Sequence, residues 1–366
     1  SLKSSFFHYR FIFFAIFISY LFTIDTNKTL KYFFYILSAC YLLLLIDGTY
    51  QFIFKKNLLG YVTNPSTRVS SFFFDELVLG SYLSRLFPIL AFLYLFLKIK
   101  VKFQYVAIFL ILLYFVTFIS GERLSFLLLS IYYILILLFI IKSKKNKLIF
   151  LVSFMVIFAL TLNFSNNFNP RSSLTTITKQ MTNINYTTCD DTKEKIISSK
   201  YLMNRWEFIP NCDPIFTIKG IKFYYIYSQM HFNHYISALE IFKDNILFGV
   251  GPKNFRFVCN EVKYFLNEFS CSTHPHNYLL QILAETGLFG IIFFTSIYIG
   301  FVFLFFKEIF KINSRETILK LILISSILVN LFPLFPSGSF FNNWNSIIYT
   351  LPFGFLLGYY RYSEWK

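Results

Sequence analysis

Residues 124–147 read LSFLLLSIYYILILLFIIKSKKNK. The first part of this stretch, 124–141, carries no charge, and Lys142, Lys144, Lys145 and Lys147 follow it at once. A helix crossing the hydrocarbon core of a membrane needs about 20 largely apolar residues. Lys and Arg stay on the side where translocation is not required, so the lysine cluster marks a cytoplasmic end. One segment therefore predicts both a transmembrane helix and its direction. Working outward, about nine such runs lie near 6–24, 32–47, 77–97, 103–119, 124–141, 148–163, 287–306, 317–335 and 345–360. The links between them alternate in charge. Lys98, Lys100 and Lys102 fill one, Lys307, Lys311 and Arg315 another, and the tail has Arg361 and Lys366. Between these fall Gly121-Glu122-Arg123 and the uncharged stretch 333–344.

Composition agrees. Of 366 residues, 56% are hydrophobic and 14% charged, whereas soluble domains carry about 25% charged residues. An ordinary cytosolic enzyme is excluded, and so is a disordered chain, which would be poor in aromatics. The net charge of +16 is the positive-inside bias and not a nucleic-acid footprint. The 52 Phe and 26 Tyr receive no functional weight. The expected fold is an all-α polytopic membrane protein, with helices over 1–163, a large extracytoplasmic loop over 164–275, and an interfacial helix plus the last spans over 276–366. The alternation places Ser1 outside, so a chain with a cytoplasmic start needs an odd number of helices before it.

The loop holds Cys189, Cys212, Cys259 and Cys271 among five cysteines, and His231, His234, His274 and His276 among five histidines. Thiols outside the cytoplasm oxidise. Of the three ways to pair four cysteines, the sequence-nearest joins Cys259 to Cys271 and Cys189 to Cys212, and a Cys259–Cys271 disulfide is expected. Cys40 reads as a small buried hydrophobe.

The chemistry concentrates in Ser272-Thr273-His274-Pro275-His276-Asn277-Tyr278, running on to Gly287 and Gly290. Ser272 or Thr273 is expected to cap a helix with Pro275 in its first turn. His276 then sits at a helix N-terminus, which disfavours imidazolium and favours anions such as a diphosphate. Gly287 and Gly290 permit close packing or a helix break. His274, before a proline, is expected to point away from the helix axis. A membrane-surface loop whose His276 merely caps a carbonyl fits the same residues. A zinc site from Cys259, Cys271, His274 and His276 has no standard spacing, so no metal and no cofactor are expected.

Three arginines stand out: Arg123 at the outer end of a span, Arg68 in the outer loop 48–76, and Arg85 about 13 Å into the third span. Guanidinium binds phosphate bidentately and stays charged. Taken alone, Arg123 and Arg68 read more simply as snorkelling at the interface. Arg85 is too deep for that and is expected to pair with Asp75 or Glu76, or to line a polar cavity.

His276-Asn277, nine residues, then Gly287-x-x-Gly290 resembles the hallmark of the bacterial O-antigen ligase and O-antigen polymerase superfamily. Asp244-Asn245-Ile246-Leu247-Phe248-Gly249-Val250-Gly251-Pro252-Lys253-Asn254-Phe255 resembles that family's Gly-x-Gly-x-x-x-Phe segment. Ser120-Gly121-Glu122-Arg123 resembles its Arg-containing turn. Arg68-Val69-Ser70-Ser71 resembles its Arg-x-x-Gly, with Ser71 replacing Gly. Where the family often has a loop Arg four residues before an aromatic, this chain has His231 before Tyr235, with Arg205 and Arg256 as other stand-ins.

The resemblance implies twelve spans in a full protein, three of them before Ser1. It implies metal-independent inverting glycan transfer from a polyprenyl-diphosphate-linked donor at the periplasmic face of the inner membrane. His276 would be the base, with Arg123, Arg68 and Arg85 on the diphosphate, and Asn277, Gly287, Gly290 and His231 in support. The acceptor would be lipid A core for a ligase, the favoured reading, or a second lipid-linked glycan for a polymerase. Membrane lipid is a partner and nucleic acid is not. A transporter or flippase would instead predict inverted repeats and short loops. A non-catalytic receptor would not require His276 and the arginines to converge.

Overall fold

The computed structural model describes residues 8–24, 26–62, 68–141, 143–152, 154–155, 216–218, 221–223, 229–265, 270–311 and 314–364. The helices, in chain order, are α1 (Arg10–Tyr20), α2 (Thr26–Phe54), α3 (Leu79–Phe96), α4 (Phe103–Ile119), α5 (Arg123–Leu135), α6 (Gln229–Asp244), α7 (Phe255–Val258), α8 (Tyr278–Ile309), α9 (Arg315–Asn330) and α10 (Asn343–Glu364). A π-helical turn, Ile136–Ile140, extends α5. The only strands among the described residues are β1 (Phe216–Ile218) and β2 (Ile221–Phe223), paired antiparallel with Phe216 opposite Phe223.

Helices coincide with the apolar runs read from the sequence, except that most of 148–163 lies outside the described residues. Asn27–Phe54, Leu79–Phe96 and Tyr278–Ile309 are each long and apolar enough to cross a membrane, and Arg10–Tyr20, Phe103–Ile119 and Arg123–Leu138 are shorter apolar helices. The chain forms two compact units. One comprises Phe7–Ser173, Thr295–Phe335 and Asn343–Lys366; the other is built on Leu174–Phe294 and Pro336–Asn342.

In the first unit α3 is central, touching α2, α4, α5, α9 and α10. Its apolar residues face inward all round: Leu79, Leu83, Phe87, Ile89, Phe92 and Leu93 are buried. The aromatics fill this core. Phe92 stacks on Phe96 at 5.5 Å and meets Phe355 and Tyr359 edge-on at 5.7 and 5.6 Å. Offset and T-shaped pairs of this kind contribute about 0.5–1.5 kcal/mol each beyond their burial. Tyr41 donates to the Leu83 carbonyl at 2.7 Å, which satisfies a hydroxyl with no access to solvent. Facing outward on α8, Phe293, Ile299 and Phe303 are exposed, as side chains in contact with lipid would be.

Apolar attraction cannot hold helices together in lipid, so close approach at small residues does. Between α1 and α10 that role falls to Gly354 and Gly358. A Cβ at Gly354 would lie 2.7 Å from Ile18 Cβ, and one at Gly358 would lie 2.3 Å from a ring carbon of Phe22. Gly358→Leu is therefore expected to destabilise this unit by roughly 1–3 kcal/mol. Gly300→Leu on α8, where nothing lies within 4 Å, is expected to be neutral. Thermal melting of both variants in detergent checks the contrast.

Candidate active site

The site-bearing unit is organised by a break in α8. Gly287 has φ +64° and ψ −158°, which interrupts the helix between Tyr278 and Ile309. Only glycine adopts this conformation cheaply. The break opens the backbone for pairing with 246–251. Val250 and Gly251 donate N–H to the carbonyls of Ala284 and Glu285 at 3.0 and 2.8 Å, and Leu288 donates to Ile246 at 2.8 Å. Two glycines make the approach possible. A Cβ on Gly287 would meet the Leu247 carbonyl carbon at 2.4 Å, and one on Gly249 (φ +63°) would meet the Glu285 carbonyl carbon at 2.4 Å. The two motifs singled out in the sequence are thus one interlocked structure. Gly290 serves differently: its bare Cα makes room for Thr286, whose hydroxyl bonds back to the Ile282 carbonyl at 2.6 Å.

Glu285, fully buried, completes the lock. Its carboxylate accepts the N–H groups of Lys253 and Phe255 at 2.8 and 3.0 Å, at the entry to α7, and the amide of Gln281 at 3.1 Å. Gln281 also donates to Ser339 at 3.0 Å and accepts from Phe340 N–H at 2.7 Å, which ties the segment 336–342 to α8. Beneath lies a core of Ala238, Ile241, Phe255, Cys259, Tyr264 and Ala284. Cys259 and Cys271 are joined as a disulfide with Cα atoms 5.3 Å apart. Cys189, Cys212 and Arg205 lie outside the described residues.

The α8 cap is Asn277, whose side-chain oxygen accepts the Leu280 N–H at 3.0 Å. Ser272 and Thr273 do not cap it. Ser272 instead closes a turn with His274, its hydroxyl donating to the His274 carbonyl at 2.6 Å. The proline comes too early, since Pro275 precedes His276 and Asn277 outside the helix. His276 adopts φ +55°, a left-handed conformation that costs a non-glycine residue roughly 1–2 kcal/mol. The bond from Ser337 N–H to the His276 carbonyl, 2.8 Å, holds it there. Strain of this sort gathers where a side chain must be aimed.

That aim brings four imidazoles together. The His276 ring centre lies 4.2 Å from His274 and 5.3 Å from both His231 and His234. His274, expected to point away from the helix axis, is the nearest neighbour, and its Nδ1 also meets the Thr273 hydroxyl at 2.9 Å. His231 and His234, one helical turn apart on α6, present the same face. Burial, reinforced by the neighbouring imidazoles, lowers the His276 pKa to about 3 and that of His274 to about 4. His231 and His234 are lowered as well, chiefly by burial. His276 is therefore neutral at physiological pH, with a ring nitrogen able to accept a proton. The expected cause was a helix terminus; the largest cause is the burial of the ring. The disulfide removes both thiols from the zinc set considered above, and among the described residues no group of three or more His, Cys, Asp or Glu has metal-holding geometry.

The arginines belong to the other unit. Arg68 donates from Nε to the Ser120 carbonyl at 3.1 Å and from Nη2 to the Leu77 carbonyl at 3.4 Å, so it ties the segment before α3 to the turn before Arg123. Ser71, standing where the family pattern has Gly, has φ +54°, which explains why that pattern asks for Gly. Its hydroxyl and N–H bond Asp47 and Gln51 at 2.5 and 2.6 Å. Glu122 accepts the N–H groups of Gly80 and Ser81 at the start of α3, at 2.7 and 3.0 Å, and the Ser125 hydroxyl at 3.0 Å. Burial raises its pKa, opposed by these bonds and by Arg68. Arg123 opens α5 and is exposed. Arg85 pairs with neither Asp75 nor Glu76. Buried in α3, it donates to Ser81 Oγ at 3.1 Å and to Asn330 Oδ1 on α9 at 3.2 Å, while Asp75 accepts from the Tyr61 hydroxyl.

Sequence reading missed the roles of His234, Gln281, Glu285, Glu122 and Asn330. The His231/His234 spacing was the one available signal, since the others act on backbone groups or on side chains brought close only by the fold. Glu285→Ala is expected to cost about 1.5–3 kcal/mol for the lost charge-assisted bonds, plus the penalty of two orphaned buried N–H groups. Gly287→Ala is expected to abolish this unit's native fold, because the backbone it would strike cannot retreat. Hydrogen exchange at Val250, Gly251 and Leu288 reports both.

Compared with known protein families, residues 107–295, just over half of the chain, match the model described as O-antigen ligase. No curated protein matches the chain. The match spans the Arg123 turn, the 244–255 segment and the His276–Gly290 motif, and with its apolar helices the chain is a multi-pass membrane protein belonging to the O-antigen ligase family.

Proposed function

We propose that the protein transfers a glycan from a polyprenyl-diphosphate carrier to an acceptor sugar at the periplasmic face of the inner membrane, with lipid A core as acceptor. The observation that carries the reading is the neutral His276 imidazole, set in a left-handed turn among three other histidines on the family's hallmark motif. His276 takes the proton of an acceptor hydroxyl as its oxygen attacks the anomeric carbon. The anomeric C–O bond to the diphosphate breaks with inversion, and the diphosphate leaves with the electron pair. Arg123 and Arg68 bind that leaving group and stabilise its developing charge, while Arg85 adds positive potential from within α3. No metal ion is needed, since guanidinium supplies the countercharge. The lysine-rich links 98–102 and 142–147 on the cytoplasmic side and the disulfide-bearing loop outside support the sidedness.

In a purified transfer assay, His276→Ala is expected to lose about 10²–10⁴-fold in rate with normal protein levels. Arg123→Lys, which keeps charge but loses the bidentate fork, is expected to lower activity without affecting membrane insertion. Activity is expected to survive EDTA; its loss would reopen a metal-dependent route. Gel analysis of surface polysaccharide in a deletion strain separates acceptors. Bare core with long lipid-linked chains retained marks a ligase, and core bearing a single repeat marks a polymerase.

The pH dependence follows from the lowered histidine values. The base stays unprotonated down to the acid side, so the rate is expected to be level from neutral pH to about pH 5. Stability behaves oppositely. The unfolded chain takes up protons as pH falls through about 6.5, while the folded imidazoles resist until far lower values, so acidification destabilises the fold across that interval. Rate and melting temperature recorded over the same pH series check the divergence.

A further inference from the structure

At one end of the helical unit, the N-termini of α2 and α9 and the C-termini of α3 and α10 surround an open cavity of about 870 Å³. Lys31, Lys98, Lys100 and Arg315 line it, each exposed to solvent. The one carboxylate in the wall, Glu316, is already paired with Lys320 at 2.6 Å. None of the four cations has a carboxylate partner among the described residues. Arg315 is fixed in place by donating to the Leu95 carbonyl and, at 3.2 Å, to Phe96, the open C-terminus of α3. Phe96, Tyr359 and Tyr362 form an aromatic wall beside the charges.

This end is where the lysine-rich link 98–102 and the link before Arg315 emerge, hence the cytoplasmic membrane surface. An open recess holding net positive charge and bordered by aromatic rings has the chemistry of a lipid phosphate site. Cations confined around one cavity without carboxylate partners repel each other, and an anion seated among them removes that cost. The geometry points to a binding site for the phosphate of an anionic phospholipid of the cytoplasmic leaflet, with Lys31, Lys98, Lys100 and Arg315 on the headgroup and the aromatic wall against the glycerol and upper acyl carbons. The inference rests on the membrane reading of the helices and not on glycan transfer, so the two can fail separately.

The test uses the full chain in mild detergent, incubated with phosphatidylglycerol or phosphatidylcholine and read by native mass spectrometry. Phosphatidylglycerol is expected to be retained in preference, and K31E/K98E to weaken its retention by at least roughly 30-fold. Retention is also expected to fall as salt rises. Should the double variant melt abnormally, K98E alone carries the same comparison. Equal retention of phosphatidylcholine by the wild type, or unchanged retention in the folded variant, overturns the site. Inorganic phosphate that displaces the lipid at equal concentration overturns the lipid assignment in favour of a soluble anion.

Discussion

Backbone-to-backbone contact, of Gly287 with Leu247–Phe248 and of Gly249 with Ala284–Thr286, is the constraint on which the site depends. Two segments approach so closely that a single methyl on either would occupy the other's peptide plane. Four hydrogen bonds between 246–251 and 284–289 follow from that approach. They satisfy donors and acceptors that the broken helix α8 would otherwise leave bare, and an unpaired buried peptide group is costly. The turn of α8 before the break can then carry Asn277 as its cap and hold His276 just outside it.

Each unit also has a carboxylate, fully buried in Glu285 and half-buried in Glu122, that collects two backbone N–H groups. Glu285 gathers Lys253 and Phe255, and Glu122 gathers Gly80 and Ser81. The device is the same: a charge meets the donor-rich start of a helix, where two N–H groups lack partners. In each case the acid sits beside a family-motif residue, Glu285 before Gly287 and Glu122 before Arg123. In both places the acid fixes the backbone next to the motif residue.

The histidine cluster shows how burial substitutes for a helix dipole. Four imidazoles within one another's reach cannot all be charged, and the partial loss of water makes the neutral form the favoured one. The arginines act by a different economy. Arg68 spends part of its fork on carbonyls of Ser120 and Leu77, and Arg85 is held by a serine and an asparagine inside the helical unit, arrangements that keep positive charge where desolvation would otherwise expel it.

Hydropathy was enough to set the helices, because a membrane enforces the length and apolarity of a span. Helix ends followed less well. The cap fell to Asn277 and not to Ser272 or Thr273, since hydrogen bonding within 272–274 diverted the serine. The His276–Gly290 spacing marked the site and left its shape unspecified. That His231 and His234 join His274 and His276 required α6 to cross the 270–278 turn, a long-range packing event without sequence periodicity. That Arg85 meets Asn330, 245 positions away, required α3 to lie against α9. Sequence by itself determined the apolar helices and the identity of the motif. Tertiary structure alone decided which side chains touch, because close approach depends on where a backbone lacks a Cβ and on which buried donors need an acceptor.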